Sequence, residues 1–84
     1  METYKPKGVC STLIEFEVEN DIITHCKFTN GCRGNTTGVA RLVEGFEIHD
    51  AIKRLKGIRC RGNTSCPDQL ALALEAYLAK RQSA

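Results

Sequence analysis

Eighty-four residues, 42% of them hydrophobic and 26% charged, describe one small globular domain over residues 1–84 and exclude a disordered chain. The net charge is only +2, and no apolar run approaches the roughly 20 residues of a transmembrane helix. The first residues lack a signal peptide's apolar region, so a cytoplasmic protein with no membrane partner is expected.

Residues 3–9 contain Tyr4, Pro6 and Gly8, which fits an extended edge segment. Thr12 to Glu19 alternates strictly, with Ile14, Phe16 and Val18 on one side of a strand and Leu13, Glu15, Glu17 and Glu19 on the other. Asn20-Asp21 is turn chemistry. A second strand, Ile22 to Thr29, is expected to place Ile22, Thr24, Cys26 and Phe28 on one face and Ile23, His25 and Lys27 on the other.

The stretch Asn30-Gly31-Cys32-Arg33-Gly34-Asn35 breaks the alternation. Its glycines permit positive φ and a gathering of backbone N–H groups around Cys32. Gly31, Gly34 and Asn35 can cradle a phosphate, but the Lys-Ser/Thr ending of a phosphate loop is missing. Helical periodicity follows. Val39, Leu42, Val43 and Phe46 form one stripe, Gly45 allows a bend, and Ile48, Ala51, Ile52 and Leu55 form a second stripe ending at Gly57.

After a short link at 58–61 comes Thr64-Ser65-Cys66-Pro67-Asp68-Gln69-Leu70. Pro67 suits a first helical turn, and Ser65 with Asp68 three residues on reads as a capping pair. Leu70, Leu74, Tyr77 and Leu78 then share one helical face. These elements predict an α+β two-layer domain, an antiparallel hairpin-based sheet with about three helices on one face.

Cys66 stands at the start of the last helix, where unpartnered N–H groups favour a thiolate. A thiolate there can be a nucleophile, a redox group or a metal ligand. Five cysteines, an odd number without a secretory signal, point to reduced thiols or metal rather than a disulfide framework. Cys26, on the inferred core face, reads as a small buried hydrophobe.

Cys10, Cys32, Cys60 and Cys66 each lie at a junction, separated by 21, 27 and 5 residues. The spacing is not that of a zinc knuckle, yet four thiols are enough to close a tetrahedral site, so metal-bound and unligated readings both stand. Cys60 and Cys66 are also candidates for a thiol relay. His25 and His49 fall on polar faces and read as solvated. Asp68 and Gln69 either cap the helix or orient a ligand.

Lys53, Arg54, Lys56, Arg59 and Arg61 concentrate positive charge before the Cys66 motif. They read either as a solvated face or as a docking surface for phosphate or an acidic partner, with Arg59 and Arg61 as the contact candidates. A nucleotide or nucleic acid belongs to that second class. The absence of interleaved aromatic residues argues against single-stranded nucleic acid.

The run Thr64-Ser65-Cys66-Pro67-Asp68 resembles the signature of the TSCPD-domain family. Supporting stretches are Gly8-Val9-Cys10-Ser11, Asn30 to Asn35, Leu42-Val43-Glu44-Gly45 and Leu55-Lys56-Gly57-Ile58-Arg59-Cys60. The same domain stands at the C-terminal end of adenosylcobalamin-dependent ribonucleotide reductases, and small free-standing members carry the label ribonucleoside-diphosphate reductase. The resemblance therefore implies DNA-precursor synthesis in association with a reductase subunit, with adenosylcobalamin entering only through that partner. So short a chain cannot enclose both a nucleotide and a cobalamin, so docking or reductant relay is implied rather than the full oxidoreductase reaction.

A fainter resemblance is to the U-type iron–sulfur cluster scaffolds, carried by Cys10, Ile22-Ile23, Gly31-Cys32, Gly45, Cys66 and Ala76-Tyr77 in the same order. It implies convergence of Cys10, Cys32 and Cys66 at one end of the sheet. Ser11-Thr12 stands where those scaffolds have Gly-Asp, which removes a carboxylate ligand. An all-thiolate site that includes Cys60 is then implied, with zinc or an iron–sulfur cluster as the suitable occupant.

Overall fold

The computed structural model describes residues 2–9, 11–30, 33–58 and 65–83, with backbone alone for 33–35, 82 and 83. The chain runs β1 (Glu2–Tyr4), β2 (Ser11–Glu19), β3 (Ile22–Asn30), α1 (Arg33–Val43), α2 (Ile48–Leu55) and α3 (Cys66–Ser83). The strands form one antiparallel sheet in the order β1-β2-β3. The expected edge segment exists but is confined to Glu2–Tyr4, pairing Glu2 with Phe16 and Tyr4 with Ile14.

The β2–β3 loop is the two-residue turn that its sequence suggests. Asn20 and Asp21 have φ of 52° and 64°, the positive values that a twisted hairpin favours. From there the pairing departs from simple alternation. Glu17 faces His25, but Val18 faces Ile23, so Thr24 is an extra residue in β3. This bulge reverses the side-chain phase of the first part of the strand. Ile23 is consequently fully buried and Ile22 exposed, opposite to the expected assignment, while Cys26 remains in the core.

A second bulge lies at the far end of the hairpin, where Ser11 pairs with Asn30 and Leu13 with Thr29. Thr12 is the extra residue, and its hydroxyl donates to the Thr29 carbonyl and accepts from Asn30 Nδ2. The phase change turns Ser11 inward, and it is buried.

The core joins Ile14, Phe16, Ile23 and Cys26 of the sheet to Ala40 and Val43 of α1, Ile48 and Ala51 of α2, and Leu70, Ala73 and Leu74 of α3. Phe16 meets Tyr77 edge-on at 5.9 Å. The stripe expected on α1 holds at Val43 but fails at Leu42, which is 70% exposed. The reason lies in where α1 ends. Gly45, with φ of 95°, turns the chain back so that Gly45 N–H donates to Ile23 O, and Ile23 N–H to Phe46 O. Phe46 thus stands beyond the helix, and the rotation that buries Ala40 and Val43 against β3 leaves Leu42 pointing away.

The start of α3 is held by side chains. Ser65 Oγ accepts from Asp68 N–H at 3.2 Å, as a capping residue should, and donates to the Ile58 carbonyl at 2.6 Å. The reciprocal half of the expected capping pair goes elsewhere. Asp68 Oδ1 accepts from Gly57 N–H at 2.7 Å and so ties the end of α2 to the first turn of α3. Gln69 Oε1 accepts from Lys7 N–H at 3.0 Å, fastening the β1–β2 connection to the same turn. Pro67 occupies that turn without breaking a helical hydrogen bond.

Loss of this junction should be measurable. Ser65→Ala removes the cap and the link to Ile58, and is expected to cost about 1–2 kcal/mol, or roughly 5–15 °C in Tm. A variant melting within about 2 °C of the parent would show that the cap contributes little.

Candidate functional site

The inward turn of Ser11 brings its Oγ to 3.1 Å from Cys66 Sγ, joining the first residue of β2 to the first residue of α3. Cys66 is half-buried there, with the Ser65 cap behind it and Pro67 beside it. The other cysteines expected at the site, Cys10, Cys32 and Cys60, lie outside the described residues, as do Arg59 and Arg61. Segments that flank them in the chain are described. Ser11, which follows Cys10, touches Cys66 and pairs with Asn30, after which the chain continues through Cys32 into α1. Ile58 and Ser65, which border the segment containing Cys60, are hydrogen-bonded to each other. Ser11, Asn30, Ser65 and Cys66 are thus brought together where β2 begins and α3 starts.

Thiolates suit zinc or an iron–sulfur cluster, and Cys66 Sγ, half-buried at a helix start beside a hydroxyl able to donate to it, offers one such donor. Thr12, at the position of the scaffolds' carboxylate, spends its hydroxyl on Thr29 and Asn30. Asp68 and Gln69 act as structural ties rather than leaving their side chains in open solvent.

Cys26 is different in kind. It is buried in the core, its backbone N–H donates to Glu44 Oε2 at 3.1 Å, and burial, with the Glu44 charge adding to it, pushes its thiol from 9.0 up to about 12. It is a core residue, as expected. The two histidines are partly exposed, and each has a carboxylate companion, His25 with Glu44 at 3.6 Å and His49 with Glu47 at 2.5 Å.

One grouping escaped the sequence reading. Asp21, Glu47 and His49 offer ligand atoms within 4.8 Å of one another. The backbone bridge between Ile22 and Glu47, and the bond from Ile48 N–H to Asp21 O, bring the hairpin turn to the start of α2. No spacing rule links Asp21 to the distant Glu47 and His49. The group is already engaged: Asp21 accepts from Arg81 at 2.5 Å, and Glu47 caps α2 through Asp50 N–H. The His49 hydrogen bond holds the Glu47 carboxyl below its usual range.

The TSCPD domain description matches residues 2–78, nearly the whole chain and all elements except the end of α3. The chain belongs to the TSCPD-domain family. The signature that gives the TSCPD family its name coincides here with the α3 junction, where Ser65 caps, Cys66 faces Ser11, Pro67 starts the helix and Asp68 ties down α2. Membership marks this as a ribonucleotide-reductase-associated domain. Neither a curated protein nor a solved structure gives a significant match.

The Cys26 thiol gives stability a defined pH dependence. Its folded value lies above its ordinary 9.0, so the folded state resists a deprotonation that the unfolded chain allows. Its contribution is intact below about pH 9 and declines from there towards pH 12, by at most about 1.4 kcal/mol per pH unit. Urea unfolding at pH 8, 9 and 10 should show this decline, and Cys26→Ala should flatten it despite a lower starting stability. An equal slope in both proteins would assign the loss to other groups.

Proposed function

We propose that this TSCPD domain is an accessory module of deoxyribonucleotide synthesis that works with a ribonucleotide reductase through its cysteine-bearing end. Family membership supports the reductase link, and the contact of Ser11 with Cys66, beside the Ile58–Ser65 hydrogen bond, is the observation that carries the choice of site. The size of the domain argues against independent catalysis. Its surface clefts include volumes of about 260 and 320 Å³, at the small end of ligand sites and far from a chamber for nucleotide plus cobalamin.

Two contributions suit such a module. In docking, Arg59 and Arg61 extend the basic run of Lys53, Arg54 and Lys56 towards an acidic surface of the reductase. In relay, Cys60 and Cys66 reduce a disulfide of the reductase by thiol–disulfide exchange, giving up two electrons and two protons and closing their own disulfide. An external dithiol then reopens it. A ribonucleotide-reductase subunit is the proposed partner, and adenosylcobalamin belongs to that subunit.

The contact of Ser11 with Cys66 also favours a second reading. Cys10, Cys32, Cys60 and Cys66 hold zinc or an iron–sulfur cluster, which would fasten the junctions of a chain with a small core. Elemental analysis of anaerobically purified protein is expected to find near-stoichiometric zinc or iron, lost together with thermal stability in Cys32→Ser. Metal-free protein whose melting is unchanged by that substitution would exclude it.

For the reductase reading, the tagged domain is expected to co-purify with a reductase subunit at moderate salt. Charge reversal at Arg59 and Arg61 should weaken the association by about tenfold or more. Retention unaffected by both substitutions would rule out the basic docking surface, and no retention at low salt would rule out the complex.

A further inference from the structure

Three donors of mixed chemistry converge beside the hairpin turn. Asp21, Glu47 and His49 place one ligand atom each within 4.8 Å of the others. Backbone contacts fix their approach, since Ile22 bridges Glu47 and Ile48 N–H donates to Asp21 O at 2.8 Å. Asp21 sits in the turn with φ of 64°, and His49 stands on the first turn of α2. Glu47 divides its carboxylate between two tasks. Its Oε1 accepts from Asp50 N–H at 3.0 Å, which holds the side chain in place, while Oε2 faces His49 Nδ1.

Charge and access both favour a cation there. The His49 hydrogen bond keeps the Glu47 carboxyl below its usual range, so Glu47 is ionised at neutral pH. One positive group is already drawn in. Arg81 of α3 donates to Asp21 Oδ1, with its guanidinium 5.6 Å from the centre of the Tyr77 ring. Both partners of that pair are largely exposed, so the pair is weak enough to open. His49 also lines a cleft of about 320 Å³ between α2 and α3, which leaves the imidazole open to solvent. Two carboxylates and an imidazole suit a manganese-class ion. With bonds of about 2.0–2.2 Å, donors on one ion stand roughly 3–4.4 Å apart, a spacing that small side-chain rotations reach here.

We propose that Asp21, Glu47 and His49 form a binding site for a divalent cation of the manganese class, and that Arg81 is the internal cation it displaces from Asp21. The protein supplies two oxygens and one nitrogen, and water completes the coordination. As the ion enters, the end of α3 loses its tie to the hairpin turn. Thiolates suit softer ions, so this site is chemically distinct from the cysteine-bearing end. The inference does not depend on the reductase partnership.

The test titrates the full, reduced chain with manganese chloride and follows the electron paramagnetic resonance signal of the free ion. One ion per chain is expected, retained in about a tenfold excess of magnesium, which dehydrates reluctantly and suits a site with an imidazole poorly. Asp21→Asn and His49→Gln should each weaken binding about tenfold or more. Arg81→Gln should tighten it several-fold by removing the competing cation, and Cys66→Ser should leave it unchanged. As surface substitutions, these changes at Asp21, His49 and Arg81 should keep melting within a few degrees of the parent. His49→Gln and Arg81→Gln decide the matter by themselves if Asp21→Asn disturbs the turn. Binding unchanged in His49→Gln, or weakened in Arg81→Gln, would overturn the proposal. Loss in Cys66→Ser would overturn it by assigning the ion to the cysteine-bearing end. Full displacement by magnesium would reduce it to loose association with exposed carboxylates, and no binding at millimolar manganese would end it.

Discussion

Much of this domain depends on how the first turn of α3 is tied down. A helix start exposes N–H groups that need partners, and here Ser65 supplies one while its own hydroxyl holds Ile58. Asp68 and Gln69 then reach outward to Gly57 and Lys7, two segments far away in sequence. One helical turn thus fixes the end of α2 and the β1–β2 connection by hydrogen bonds to buried side chains. Such bonds are costly to break because each buried group would be left unpaired. Cys66 is the residue this arrangement presents, half-buried and facing Ser11. The family signature is therefore both a structural joint and the frame of a thiol.

The two bulges in the hairpin complete that frame. The bulge at Thr24 puts Ile23 into the core, and the one at Thr12 puts Ser11 against Cys66. Each works by inserting a single residue, which reverses the phase of the strand on one side. A regular β2 would direct Ser11 to the opposite face of the sheet, and α3 would lose its contact with the start of the strand. The Ser11–Cys66 contact and the exposure of Leu42 consequently depend on different parts of the fold, one on strand irregularity and the other on the early end of α1.

The strengths and failures of sequence reasoning follow from the same physics. Alternation located β2, the two-residue turn at Asn20-Asp21 was explicit, and the Leu70, Leu74, Tyr77 and Leu78 stripe located α3, because each depends on local periodicity or turn chemistry. The face of Ile22 and Ile23 was misread, since strict alternation contains no signal for an extra residue at Thr24. Leu42 was misread because helical periodicity was carried through Gly45 to Phe46, across a chain reversal. At the site, Cys66 and the capping role of Ser65 were legible from the motif. The contact with Ser11 and the partners of Asp68 and Gln69 were not, because they join segments whose proximity only tertiary structure creates.

The proposed function requires that cysteines of distant junctions share one end of the sheet with Cys66. Reaction of native, metal-stripped protein with dibromobimane, which becomes fluorescent when it bridges two neighbouring thiols, tests this directly. Fluorescent adducts linking Cys66 to Cys10, Cys32 or Cys60 are predicted, with those links absent from Cys66→Ser. Labelling of Cys66 only at single, unbridged sites in the folded protein would contradict the claim.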